Sequence, residues 1–223
     1  MVNRLVSAGL AAFVLLLGPM PAKAVVISES DFTQGLANQT IQGINFSASG
    51  GTFDHKTVAS VIGVGVSSGP SGGEIDLGQA INGSASSVNV GSITLGFLFD
   101  GPEFNDVNEV AQIVIDGTAY FLTATSDVTA LWTGPGSVTN LSPATGSDAA
   151  VWLLSGLNFT DVQSLSLSAM PGVCGSAGGN CNNQSDFSLI QLTTFDVPEP
   201  ASLTMLAAGL LGIGWVRRRR RDT

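Results

Sequence analysis

Between residues 25 and 196 the chain has almost no cations. Of its eight lysines and arginines, Arg4 and Lys23 lie in the first 24 residues and Arg217 to Arg221 at the far end. Lys56 is left alone between them, among fifteen acids, for a formal charge of −14 over that region. Such a surface repels nucleic acid and anionic lipid. It attracts calcium or basic partners, and at the least its acids keep an otherwise uncharged surface soluble. Charge of either sign is scarce: 11% of 223 residues. That is too little to clothe the wet faces of long helices. Histidine and tyrosine occur once each, and cysteine twice.

The scarcity of histidine bears on catalysis. "GVSSG" (Gly65 to Gly69) has the form G-x-S-x-G, with Ser67 at the nucleophile position. That motif needs a helix directly after it, and Pro70, Ser71, Gly72 and Gly73 follow instead. His55 precedes the serine, whereas the hydrolase order places histidine last. We therefore expect no enzyme, and His55 reads as a surface or strand-end residue.

What the chain does have is apolar ends. "MVNRLVSAGLAAFVLLLGPMPAKA" places Arg4 before an apolar run, Leu5 to Leu17, then helix-breaking Gly18, Pro19 and Pro21. Ala22-Lys23-Ala24 supplies a small-x-small site for signal peptidase. These are the parts of a secretory signal peptide, with cleavage expected after Ala24. At the other end, Ala201 to Val216 is 16 residues without charge, and five arginines, Arg217, Arg218, Arg219, Arg220 and Arg221, follow at once. The run is shorter than the ~20 residues that span a bilayer comfortably. An arginine cluster beside an apolar helix is retained on the cytoplasmic side. Pro198 and Pro200 flank Glu199 just ahead of that helix. Two prolines with one residue between them enforce an extended, accessible segment that a processing enzyme can grip.

Val-Pro-Glu-Pro, an apolar helix and a terminal arginine cluster together resemble the PEP-CTERM sorting signal of Gram-negative bacteria. The resemblance covers about the last 27 residues, 197–223. It implies that exosortase, a membrane enzyme, recognises Pro198, Glu199 and Pro200 and cuts near them. The freed protein then goes to the cell surface or the extracellular polysaccharide matrix. "GVGVSSGPSGGEIDLGQAI", "LGFLFDGPEFNDVNEVAQI" and "CGSAGGNCNNQSDFSLIQL" also resemble segments of one group of such exported proteins. That likeness implies a shared fold and route, and brings no activity with it.

The organisation expected is thus a signal peptide at 1–24, a passenger domain at 25–196 and the sorting signal at 197–223. In the passenger, six segments read as strands. "VASVIGVGV" (Val58 to Val66) is β-branched. "SITLGFLF" (Ser92 to Phe99) alternates. "AQIVIDGTAYFLTA" is a hairpin, with Asp116-Gly117 suited to a type I′ turn. "AVWLLSGLNF" is a strand followed by a turn. "VQSLSLSAM" sets Leu165 and Leu167 against serines. "FSLIQLTTF" closes the domain. Short strands with glycine-rich turns predict an all-β fold. We expect an antiparallel, jelly-roll-like sandwich with a signal helix before it and a membrane helix after it; a closed barrel is the alternative.

Cys174 and Cys181 bracket "GSAGGN". In an oxidising compartment they are expected to form a disulfide, worth about 2 kcal/mol for so short a loop. Two acidic groups are candidate calcium ligands: Glu74 and Asp76 in "GGEID", and Asp100, Glu103, Asp106 and Glu109 in "DGPEFNDVNE". Calcium takes six to eight oxygens from such loops; the alternative is solvated turn acids, with no cofactor. Trp132, beside "TGPG", is the candidate sugar-stacking platform, whereas Trp152 in "AVWLLSGL" reads as core.

The function expected is that of an exported surface or extracellular-matrix protein, structural or adhesive in exopolysaccharide or biofilm. Its partners would be signal peptidase, exosortase, the inner membrane in transit, and polysaccharide. A calcium-assisted carbohydrate-binding module is the alternative.

Overall fold

The computed structural model describes residues 24–68, 72–101, 107–142, 149–174 and 184–196. Both apolar ends lie outside them, including the expected signal helix and membrane helix. Among the described residues no helix is long and apolar enough to cross a membrane.

The described residues form twelve strands: β1 (Ala24–Ser28), β2 (Asn38–Ile41), β3 (Ile44–Ser49), β4 (Phe53–Val58), β5 (Val61–Val66), β6 (Ala80–Gly96), β7 (Val107–Ile115), β8 (Thr118–Ser126), β9 (Thr129–Trp132), β10 (Ser137–Asn140), β11 (Trp152–Cys174) and β12 (Ser188–Phe195). A 3-10 turn, Glu29–Asp31, follows β1. All the named strand pairs are antiparallel. The fold is therefore all-β, as composition predicts.

The strands form one hydrogen-bonded network, ordered β4-β5-β12-β6-β11-β7-β8-β9 along its main path. Two long strands hold it together. The first part of β6 pairs with β3, and its last part with β12. β11 runs along β6 from Trp152 to Ser168, with β10 on its other side at Trp152–Ser155 and β7 at Leu165–Cys174. Register shifts interrupt the β6–β11 ladder between Ser155 and Ser164. There Gly156, Asn158 and Asp161 all have positive φ. Such irregularities bend a strand and let it change partners.

Three expected elements are corrected here. Val58 to Val66 is not one strand: Ala59 (φ 45°) and Ser60 (φ 68°) turn the chain back on itself between β4 and β5. Alanine is no turn former and the serine stands alone inside an apolar β-branched run, so only the strand pairing reveals that hairpin. "SITLGFLF" alternates only to Gly96. Phe97 then takes φ 64°, which sends it into a small cluster with Ala149 and Val151 and returns Leu98 to the main core. "AVWLLSGLNF" does not end in a turn but continues into "VQSLSLSAM" as β11. The Asp116-Gly117 hairpin forms as expected, with Ile115 opposite Thr118. Asp116 also ties it to β11: its Oδ1 accepts from the Gln163 and Ser164 amides at 3.0 and 2.8 Å. Those bonds hold its carboxyl below the usual carboxylate range.

One main core serves both halves of the network. Ile27, Phe46, Phe53, Ile81, Ile93, Ile113, Trp152, Leu167 and Leu192 are all buried in it. Phe32 packs edge-on against Phe46 and Phe53, with centroids 5.0 and 5.1 Å apart. Each such pair adds about 0.5–1.5 kcal/mol beyond area burial. Leu165 and Leu167 face the core while Ser164 is exposed and Ser166 and Ser168 are half-buried, the alternation expected of a sheet with one wet face.

Candidate functional site

Two glycines bring the first acidic group onto the β4–β5 hairpin. A Cβ on Gly65 would sit 2.4 Å from the Glu74 backbone, and one on Gly73 would sit 2.6 Å from that of His55. Their absence lets the 72–79 segment lie flat against the hairpin, where Val66 N–H donates to Glu74 O at 2.9 Å. Ile75 N–H reaches Phe187 O at 2.6 Å, and Ser188 Oγ donates to Gly73 O at 2.8 Å. The Glu74 side chain is thereby buried, 1% exposed, and pairs with Lys56.

The second acidic group closes on the same region from β7. Glu109, 6% exposed, accepts the Phe99 amide through its carboxylate and returns its own N–H to Phe99 O at 3.2 Å. Ser185 Oγ accepts the Val110 amide at 2.8 Å, which fixes the chain just before β12. Gly101 N–H donates to Asn108 Oδ1 at 2.8 Å. Asp76 and Asp100 are buried as well.

These carboxyls influence one another. Burial pushes Glu74 up to about 7; Asp186 and Asp76 push the same way, against the pull of Lys56. Burial also raises Glu109 well above the carboxylate range, with Asp186 and Glu74 adding to it, against hydrogen bonds from the Phe99 and Asp186 backbones. At least one of the buried carboxyls therefore holds its proton close to neutral pH. In sequence Glu74 and Glu109 belong to separate loops, and Asp186 is missed altogether. No spacing relates positions 74, 109 and 186; only the packing of the 72–79 segment and the residues before β12 against β7 does.

Among the described residues no group of three or more His, Cys, Asp or Glu side chains is arranged to hold a metal ion. Glu103 and Asp106 lie outside those residues. Ser67 and His55 are not joined. Ser67 Oγ bonds Thr52 Oγ1 at 2.8 Å, while the His55 ring meets Glu29 O at 2.9 Å from within β4. Trp132 pairs across to buried Leu122 and packs on the core edge beside Tyr120, centroids 5.8 Å apart. Its indole N–H donates to Pro135 O at 2.8 Å. The ring is thus half-buried packing at the margin of the sheet. Trp152 is core, as expected. Cys174 is the last residue of β11 and Cys181 lies outside the described residues, as the expected bridge therefore does.

Pro198, Glu199, Pro200 and Arg217 to Arg221 also lie outside the described residues, but the point where they begin is clear. β12 ends at Phe195, which pairs with Ala24 of β1. The β domain is complete one residue short of Val-Pro-Glu-Pro. Comparison with curated proteins and with solved structures gave no match. One family model does match, over residues 196–220, from the end of the β domain into the arginine cluster. The chain thus carries at its C-terminus the PEP-CTERM protein-sorting motif.

Proposed function

We propose that this chain is an exported passenger that exosortase releases from the inner membrane to the cell surface or extracellular matrix, where its β domain is structural or adhesive within polysaccharide. The motif match over 196–220 carries this reading. The position of the domain's ends supports it: Ala24 and Phe195 are cross-strand partners. Removal of a signal peptide after Ala24 keeps Val25–Ser28 on β12. A cut near Pro198 leaves β12 entire, with its pairing to β1, β5 and β6. Both cuts would free a whole domain. The fold part of the reading is a sandwich made by bending one sheet at β6 and β11, supported by the main core that both halves share. No reaction of its own belongs to this reading.

In cells lacking exosortase, the chain is expected to stay in the membrane fraction, and P198A/E199A/P200A should be retained in the same way. Release of the triple variant at the parental rate would remove the motif from the account.

A second reading is the calcium-assisted carbohydrate-binding module. The mutual repulsion around Glu74, Glu109 and Asp186 favours it, because a divalent cation would relieve that repulsion. Melting curves in calcium and in chelator separate the two readings, as argued with the pH dependence below.

A further inference from the structure

The outward face of β2, β3, β6 and β11 has an unusual make-up. In antiparallel sheets, residues directly opposite one another point to the same side. One cross-strand row reads Asn38, Ser47, Asn82, Ser166. The row beside it reads Thr40, Asn45, Ser84, Ser164. All eight side chains are exposed or half-buried. Of the intervening positions, Phe46, Gly83 and Leu165 are buried and Gln39 is half-buried. The two rows carry amides and hydroxyls and no formal charge, in a domain with a charge of −14 over residues 25–196. The large apolar side chains that the described surface exposes (Val26, Leu36, Ile62, Leu77, Val128, Leu131, Leu141) all lie elsewhere.

The face is also concave. Two adjoining clefts of about 260 and 370 Å³ open on it and share Asn45, Ser47 and Ser84. They are open troughs near the lower end of small-ligand volumes, ~300–1,000 Å³, and so suit a chain lying along them. Strands are spaced ~4.8 Å apart, so a ligand crossing all four meets a fresh polar group at that interval over about 14 Å. The asparagines are held ready. Thr40 Oγ1 donates to Asn45 Oδ1 at 2.7 Å, and Ser166 Oγ to Asn82 Oδ1 at 2.8 Å. Each amide nitrogen then keeps two N–H donors, with no protein partner among the described residues.

We propose that this trough binds an uncharged polysaccharide. Without cations it has nothing to hold a phosphate or a uronate, and the surrounding acids repel both. Its apolar walls are the half-buried Val114 beside the buried Leu165 and Phe46, too small an exposed patch to grip a helix or a lipid. A polymer of neutral hydroxyls fits its chemistry, since water on the amides and hydroxyls is exchanged for sugar hydroxyls at little net cost. The proposal rests on the export reading only for where the polymer is met, and that reading is tested separately by the fate of the C-terminus.

The experiment is affinity electrophoresis of the full chain in a detergent without a sugar headgroup. Gels contain hydroxyethylcellulose, dextran or galactomannan, or carboxymethylcellulose as a charged polymer on the same backbone as the first. At least one neutral polymer should slow the protein, and carboxymethylcellulose should slow it less than hydroxyethylcellulose does. N45A/N82A should weaken the retardation at least fivefold while melting within a few degrees of the parent; the single variants stand in if the double unfolds. Three results would overturn the proposal: no retardation by any neutral polymer, equal retardation by the charged and uncharged celluloses, or full retardation of N45A/N82A. Loss of retardation in W132A with N45A/N82A unaffected would move the site to the tryptophan and likewise overturn it.

Discussion

Truncating Trp152 to alanine should cost about 3–5 kcal/mol, the usual penalty for deleting a large buried aromatic. The side chain is 2% exposed and lies at the start of β11. There the strand is flanked on both sides, by Leu95 of β6 and Asn140 of β10. Its indole N–H donates to Leu98 O at 2.9 Å, across the point where the chain leaves β6. Alanine would remove the ring from the core and leave that carbonyl, on a fully buried residue, without its donor. W152F separates the two effects. It keeps most of the apolar contact and loses the hydrogen bond, at about 1–3 kcal/mol for the orphaned group. A domain of this size is stable by only about 5–15 kcal/mol, so W152A should shift a urea midpoint severely and W152F by less. A loss below 1 kcal/mol for W152A would mean that β11 does not enter the core as described.

The second large effect is a pH dependence opposite to ordinary acid denaturation. Glu74 has a folded pKa of about 7 against an ordinary 4.5. A carboxyl raised on folding binds its proton more tightly in the native state. Folding is then favoured below pH 4.5, loses that advantage between 4.5 and 7, and lacks it above 7. The raised value amounts to roughly 3 kcal/mol across the window, or about 6–12 °C in melting temperature for a domain of this length. Glu109 is raised as well and acts in the same direction. Burial contributes most to the effect; Asp186 and Asp76 add to it and Lys56 opposes it. At fixed ionic strength, the protein should melt higher at pH 5 than at pH 8. E74Q and E109Q should flatten the profile, and K56M should steepen it by removing the cation that favours ionised Glu74. Equal melting temperatures at both pH values, or a rise with pH, would contradict the buried acid hub. Repeating the pH 8 melt in millimolar calcium and in chelator decides the second functional reading. A cation bound only by the folded state raises the melting temperature by mass action, and coincident curves would end the calcium alternative.

How much of this was legible in the sequence varies by element, for physical reasons. The β7–β8 hairpin was plain because Asp116-Gly117 carries its own turn chemistry between two alternating runs. The serine-leucine alternation of β11 was equally plain. β2, β3 and the first half of β6 were not. "AINGSASSVNV" holds glycine, serine and asparagine, which favour turns when read alone. They form strand because partners on both sides satisfy the backbone and because Ile81 and Val90 anchor it to the core. The same polar letters, dispersed in sequence, become one neutral face only once β2, β3, β6 and β11 are side by side. Likewise Glu74 and Glu109 were visible as acids, but their raised affinity for protons depends on Asp186 and on burial, which no linear spacing encodes. The C-terminal motif was the most legible feature, because a sorting signal is read as a linear string and needs no fold around it.

The central claim is that the C-terminal segment is an address removed after export. Intact-mass measurement of the extracellular protein tests it most directly. The account predicts a chain that begins at Val25, ends close to Pro198-Glu199-Pro200 and lacks Arg217 to Arg221. Extracellular protein that still carries the arginine cluster would contradict it.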